Sequence, residues 1–344
     1  MNPIALSLIM SSLATGSIIT MTSHHWLAAW VGLEINTLAM VPIIAKQHHP
    51  RSTEAATKYF LTQAAASALI LFSSSMNAWH TGLWDITQLS HEPARISITM
   101  ALAMKLGLVP LHFWLPEVLQ GTTMMTALLI TTWQKLAPLA LMYLTSSQLS
   151  TTALLMMGLM STALGGWGGL NQTQLRKMMA FSSIAHLGWM ATILTIAPNI
   201  MLLNLTIYII MTIPMFSTLT YFSSKTIKDL GTSWTTSTTL TTFIMLTLMS
   251  LGGLPPMSGF MPKWLILQEL TNQQLSTAAA IIAMSALLSL FFYIRLAYTT
   301  SLTMSPNTTN SKHNWRFCPT MKTSLTSMTL TAALCLLPLT SLMT

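Results

Sequence analysis

Three lysines and one glutamate fall inside long apolar stretches: Lys105, Lys135, Lys263 and Glu34. A charge at the centre of a bilayer costs about 2.5–3.5 kcal/mol on insertion scales. Facing lipid, the four together would cost on the order of 10 kcal/mol, so they are expected to face the bundle interior, water or one another. A buried ion pair that fixes helix register would account for Glu34 with one lysine. It does not account for the set, because one acid cannot neutralise three lysines. The surplus lysines must lose protons, be hydrated, or both. Burial disfavours the charged form of a lysine and a nearby carboxylate favours it. A lysine held between those pulls changes state when its neighbour moves, which is the physics of a proton relay.

The rest of the composition explains why lipid is the solvent. Of 344 residues, 52% are apolar and 6% charged, whereas a soluble domain carries about 25% charged residues. Methionine occurs 28 times, yet valine only at Val31, Val41, Val109 and Val118, and threonine fills many of its places. Threonine is tolerated there because its hydroxyl bonds back to the carbonyl one turn earlier. The two cysteines, Cys318 and Cys335, form no ligand spacing, which argues against an iron–sulfur or zinc site. The GGWGG run at 165–169 matches no phosphate-binding motif and reads as a helix end and turn. Redox chemistry is therefore expected in a partner. The N-terminal stretch turns apolar by residue 4 without the Arg-rich pattern of a transit peptide. It reads as a first membrane span.

The expected fold is an all-α polytopic membrane protein. Crossing ~30 Å of hydrocarbon takes about 20 residues, and the chain offers eleven such stretches. They run over 3–22, 26–45, 58–79, 96–118, 123–144, 150–170, 176–196, 200–222, 238–268, 276–298 and 324–342. This map places Lys46, Arg51, Lys58, Arg176, Lys177, Lys225, Lys228, Lys312, Arg316 and Lys322 on one side, with Arg295 able to snorkel there. The other side receives Arg95 with Asp85, Glu92 and Glu269. That asymmetry is the positive-inside signal, with the N-terminus on the positive side and the C-terminus opposite. The net charge of +8 thus points to anionic lipid headgroups rather than nucleic acid.

Two of the spans are interrupted. Residues 105–117 read KLGLVPLHFWLPE and residues 252–264 read GGLPPMSGFMPKW; an offset of 146 aligns Gly107 with Gly253, Leu108 with Leu254, Pro110 with Pro256 and Pro116 with Pro262. Proline removes a helix hydrogen bond and crowds the preceding turn. In lipid such breaks survive only where protein or a water cavity satisfies the freed groups. Paired interrupted helices in two halves point to a transport site, and each here has a lysine beside it. The breaks are fourth in successive groups of five spans, and five crossings reverse the chain, so the repeats must be inverted. The expected organisation is a repeat over 1–146, a second over 147–300, and a loop with an appended helix over 301–344.

Five segments in order, GLEINTLAMVPI around Glu34, AMKLGLVPLHFWLPEV around Lys105, TWQKLAP around Lys135, LRKMMAFSSIAHLGWM at 175–190 and GGLPPMSGFMPKW around Lys263, carry a resemblance. Through nearly its whole length the chain resembles the antiporter-like membrane subunits of complex I, the mitochondrial NADH–ubiquinone oxidoreductase, a family shared with multisubunit cation/proton antiporters. The methionine-rich, valine-poor alphabet likewise looks like the codon bias of animal mitochondrial genes. The resemblance implies two inverted half-channels joined by a polar axis. Within it Glu34 and Lys105 are the paired glutamate and lysine, Lys135 the central lysine and Lys263 the exit-side lysine. It implies no cofactor in this chain, with NADH, FMN, iron–sulfur clusters and ubiquinone in partner subunits. The implied partners are the other complex I membrane subunits, neighbouring antiporter-like ones included, and anionic lipid such as cardiolipin. The implied location is the mitochondrial inner membrane, with the N-terminus in the matrix. Many family members carry three more N-terminal helices, for which this chain has no room, as in the shortened animal forms.

Other candidates are weighed beside these. His112 at the first break and His186 in the seventh span could relay protons, since histidine titrates near neutral pH; a packing role is the alternative. His24–His25 and His48–His49 lie in interfacial loops and are poor metal candidates. Glu117 is expected to end a span at the interface, and the Met and Trp content reads as packing and interface anchoring. Two functions compete with the relay. A free-standing antiporter lacks a carboxylate pair for Na⁺, since Glu34 is the sole membrane acid. A structural or coupling spacer would use the same residues.

Overall fold

A computed structural model describes residues 2–235, 237–301 and 324–335 of the chain. Every regular element among them is helical, with isolated bridges only at His25–Asp85 and Gln174–Thr226. The helices are α1 Pro3–Thr22, α2 Trp26–Ile44, α3 Pro50–Thr81, α4 Glu92–Leu106, α5 Trp114–Gly121, α6 Met124–Thr131, α7 Trp133–Leu144 and α8 Thr151–Leu170. There follow α9 Leu175–Ile193, α10 Pro198–Tyr221, α11 Ile227–Gly231, α12 Thr238–Gly252, α13 Phe260–Asn272, α14 Ser276–Ser301 and α15 Ser324–Cys335.

Local chemistry sets the ends. Asn2 caps α1 by accepting from the Ile4 N–H at 3.3 Å, ahead of Pro3 at the first helical position. His49 and Ser52 form a reciprocal cap on α3, whose far end stops at Gly82 in the left-handed conformation.

On several helices the polar side chains turn inward and large apolar ones outward. On α3 the buried positions include Gln63, Ser67, Ser73, Ser74 and Asn77, whereas Phe60, Leu61, Leu69 and Phe72 are exposed. On α14 Ser285 and Ser289 are buried while Ile281, Met284, Leu287 and Phe291 are exposed. A water-soluble bundle has the opposite pattern, so the outer surface is suited to lipid or apolar partners. Many buried hydroxyls bond back along their own helices, as Thr20 does to Ser17 O and Ser73 to Ile70 O. At such positions threonine stands in valine's place with its hydroxyl bonded.

Among the described residues seven helical segments, α1, α2, α3, α6 with α7 taken together, α8, α10 and α14, are long and apolar enough to cross a membrane. The remaining expected spans have physical reasons to look different. The stretches 96–118 and 238–268 are each two helices, α4 with α5 and α12 with α13. Helix α9 opens with Arg176 and Lys177 and carries His186. Of 324–342 only α15 is described, and Lys312, Arg316, Cys318 and Lys322 lie outside the described residues.

The chain divides into two compact units, Met1–Ser161 with Leu194–Pro198, and Thr162–Ile193 with Asn199–Thr344. The boundary falls inside α8. In the first unit α2 packs on α1 and α3, α3 on α4 and α5, and α7 on α1, α4 and α6. In the second, α14 packs on α9, α12 and α13, with α15 against α12.

Candidate functional site

The first break is built by Gly107. Its φ of 81° lies in the left-handed region, which a Cβ disfavours. There its N–H donates to Ala103 O and Met104 O at 2.9 and 3.2 Å, and Leu108 N–H donates to Ala103 O at 2.9 Å, closing α4. Two side chains from elsewhere add hydrogen bonds to this end of α4. Trp114 Nε1 donates to Met104 O at 3.1 Å, and Gln63 Nε2 reaches Lys105 O at 3.5 Å. Lys105 stands in the last turn of α4, where a cation is favoured by the helix dipole, and is only 6% exposed.

The second break repeats this geometry with a different cap. Gly253 has φ 80°; its N–H donates to Met249 O and Ser250 O at 3.1 and 3.0 Å, and Leu254 N–H donates to Met249 O at 3.3 Å. The next two carbonyls are taken by Lys263, 8% exposed, whose Nζ donates to Gly252 O at 2.9 Å and to Leu251 O at 3.4 Å. The same ammonium lies 5.9 Å from the Trp189 ring centroid. A lysine on the far half-helix therefore caps the near half-helix, and its charge sits at the negative end of α12. Outside it, Trp264, Leu267, Leu287 and Leu290 line an open groove of about 600 Å³ with Lys263 among its walls.

A third interruption lies beside Lys135. Helix α6 ends at Thr131 and α7 starts at Trp133, with Thr132 between them at φ −112° and ψ −70°. Pro138 lacks the N–H that would bond Gln134 O, and its ring crowds that turn. Lys135 is 3% exposed. Lys105 and Lys135 share one cavity, lined also by Asn36, Tyr59, Gln63 and Gln134. It leaves about 10 Å³ for the centre of a water molecule, which is room for about one.

Glu34 is placed differently from the lysines. It is half-buried at an open groove of about 400 Å³ between α2 and α3, beside Trp30, Ala68 and Phe72. Ser67 Oγ donates to its Oε1 at 2.7 Å and Thr37 Oγ1 to its Oε2 at 2.6 Å. It makes no ion pair with Lys105: among the described residues the side-chain ion pairs join Lys58 to Glu54 at 2.6 Å and to Glu117 at 2.7 Å. The two residues expected as a pair thus stand apart in their contacts, the Glu34 carboxylate held by hydroxyls and the Lys105 ammonium enclosed in a separate cavity. Glu117 is largely exposed, beyond the break, as expected of an interfacial acid.

His112 is buried within the first break, its ring 4.3 Å from that of Phe113. His186 is buried on α9 with its ring 5.2 Å from that of Tyr208. Among the described residues no group of three His, Cys, Asp or Glu could hold a metal ion.

The sequence reading missed Asn36, Gln63, Gln134 and Trp114. Polar amides inside apolar spans were the available signal. The partners of Gln63 and Gln134 lie 42 and 75 positions away, beyond the reach of local pattern.

The family described as "NADH:quinone oxidoreductase/Mrp antiporter, TM" matches residues 23–289, and the family "NADH dehydrogenase subunit 2 C-terminus" matches 290–344. The NADH-ubiquinone oxidoreductase chain 2 of Oncorhynchus mykiss is 57% identical over 344 residues, covering 100% of this chain and 99% of the relative. That of Xenopus laevis is 55% identical over 342 residues, covering 99% of each. The chain belongs to the NADH-ubiquinone oxidoreductase chain 2 family. Its fold is shared more widely. A chain of respiratory complex I from Thermus thermophilus superposes with a TM-score of 0.84 at 23% identity, covering 98% of this chain and 80% of that one. A chain of the Mrp complex from Dietzia does so at 0.79 and 17% identity, covering 86% and 60%.

Proposed function

We propose that this chain is a membrane subunit of the proton-pumping NADH–ubiquinone oxidoreductase and that Lys105, Lys135 and Lys263, with Glu34, carry its proton relay. The observation behind the relay is that all three lysines are enclosed, each next to an interrupted helix, in a protein whose surface is apolar. The full-length similarity to chain 2 of animal NADH-ubiquinone oxidoreductases supports the placement in that complex.

In this reading a change in a neighbouring subunit alters the field that Glu34 exerts on Lys105. Lys105 then changes its proton affinity, followed by Lys135 and Lys263 through charge repulsion. Moving one charge against a membrane potential costs about 2.3 kcal/mol per 100 mV. A pKa change of one or two units, at about 1.36 kcal/mol each, is a step of the right size. His112 and His186 are secondary relay candidates. NADH, flavin, iron–sulfur clusters and ubiquinone belong to partner subunits, and anionic lipid would cover the basic face.

The eleven-span topology goes with this reading. The seven long helical segments, α9, the broken pairs α4/α5 and α12/α13, and a span beginning with α15 make up the eleven. Successive groups of five are inverted repeats. The N-terminus lies on the matrix side of the mitochondrial inner membrane and the C-terminus opposite. One specific observation favours a spacer instead: Lys263 already has a structural task as a helix cap. The relay reading is tested with Lys105→Met in the intact reconstituted complex. Inhibitor-sensitive NADH oxidation is expected to continue while proton uptake per NADH falls. An unchanged proton ratio would count for the spacer.

A further inference from the structure

The second break is held from outside as well as from within. Its linking loop, residues 253–259, contains Pro255 and Pro256, which have no N–H to give. The loop's own bonds are short-range: Leu254 N–H donates to Met249 O, Met257 N–H to Leu254 O and Phe260 N–H to Met257 O. Many buried hydroxyls in this protein bond back along their own helix, as Ser250 does to Thr247 O. Ser258 instead crosses to another element. Its Oγ donates to Ala333 O of α15 at 2.7 Å, over 75 positions of sequence, and lies 3.9 Å from Met211 Sδ on α10. Both ends of that bond are enclosed, Ser258 being 1% exposed and Ala333 fully buried. Helix α15 also packs on α12. It therefore touches both the near half-helix and the loop that leads to the far one. The offset of 146 that aligns the two breaks puts His112 opposite Ser258. The first break thus has an ionisable ring where the second has a hydroxyl tied to another helix.

We propose that α15 is a splint for the second break, and that Ser258 is the positioning residue through which it sets where α13 begins. Helix α13 starts at Phe260, two residues after Ser258, and Lys263 stands in its first turn. From there Nζ must reach back to Gly252 O and Leu251 O at the end of α12. That reach depends on how deeply the loop sits against its neighbours. The prolines and the left-handed Gly253 shape the turns of the loop but do not fix its depth. The bond from Ser258 to Ala333 O does. It joins a hydroxyl to a carbonyl, neither of which titrates near neutral pH, so the tie is the same whatever the charge on Lys263. A charged donor makes a hydrogen bond roughly twice as strong as a neutral one, so a Lys263 that loses its proton caps α12 less firmly. The splint keeps the two half-helices in place through that change. Its effect on pumping rests on the relay reading; its existence does not.

The test uses the intact complex carrying Ser258→Ala, which removes the donor, or Ser258→Thr, which keeps it. Amide hydrogen exchange is followed in peptides spanning 253–260, with 107–114 of the first break as the internal reference. Ser258→Ala is expected to speed exchange over 253–260 by about three- to tenfold, the factor that one net hydrogen bond supplies. Residues 107–114 keep their wild-type rate, and Ser258→Thr stays close to wild type at both breaks. Unchanged exchange in Ser258→Ala, or an equal rise at both breaks, overturns the splint. Proton uptake per NADH is measured on the same samples. It is expected to fall in Ser258→Ala while NADH oxidation continues, and to recover in Ser258→Thr. Where exchange rises and the ratio does not change, Lys263→Gln in the same assay separates the causes. A lowered ratio in Lys263→Gln means that Ser258 does not position the lysine for pumping. An unchanged ratio there means that the relay itself fails at Lys263.

Discussion

Gly259→Ala is expected to prevent the second unit from adopting its broken-helix geometry, so that the complex carrying it fails to assemble. Gly259 is the N-cap residue of α13, and an added Cβ would lie 1.9 Å from Ser250 O and 2.9 Å from the carbonyl carbon of Ser250. The obstacle is backbone, and it cannot move independently, because Ser250 O already accepts the Gly253 N–H that ends α12. Overpacking costs typically about 1–3 kcal/mol. This contact belongs at the top of that range or above it, since relieving it requires prising apart the two half-helices. Gel analysis of assembled complex against total subunit is the measurement; wild-type levels of intact complex would show that the halves can separate without loss. The corresponding position of the first break is Phe113, which is 71% exposed, so the first break has no such pinch.

Lys263 gives the second large effect, because one side chain is asked to do two things. Lys263→Met removes the donor from Gly252 O and Leu251 O and leaves buried carbonyls unpaired, a cost of about 1–3 kcal/mol for each group. It also removes the ionisable group. Loss of both assembly and pumping is therefore expected. Lys263→Gln separates the tasks: its amide is one bond shorter yet still carries two N–H donors, and it cannot take up a proton. On the relay reading the Gln variant assembles better than the Met variant and still pumps less. Pumping restored along with assembly would assign Lys263 to structure alone. Comparing the two variants for NADH oxidation, proton uptake and complex yield decides it.

The parts of this site that were legible in the sequence are those whose cause is local. Gly107 and Pro110, and Gly253 and Pro256, announce the breaks because a left-handed glycine and a ring without N–H act on the chain that contains them. The charged positions Lys105, Lys135 and Lys263 were legible for an energetic reason, the cost of a charge in hydrocarbon. What escaped was decided between distant segments. Gln63 caps Lys105 O from across 42 positions, and Asn36 and Gln134 meet Lys105 in a cavity that no periodicity describes. The break at Thr132 was hidden because Pro138 disturbs the turn before it rather than its own. Pairing Glu34 with Lys105 was also too simple. Ser67 and Thr37 hold the carboxylate at the edge of a groove, with no ion pair to Lys105 among the described contacts.

Lys135 is the most direct probe of the whole account, being central among the three buried lysines in sequence and sharing a cavity with Lys105. The measurement is proton uptake per NADH oxidised in the reconstituted complex carrying Lys135→Ala, with assembly and inhibitor-sensitive electron transfer checked in the same sample. A relay through the lysines predicts that electron transfer persists and the proton ratio falls. A wild-type ratio in a fully assembled, active complex would contradict it.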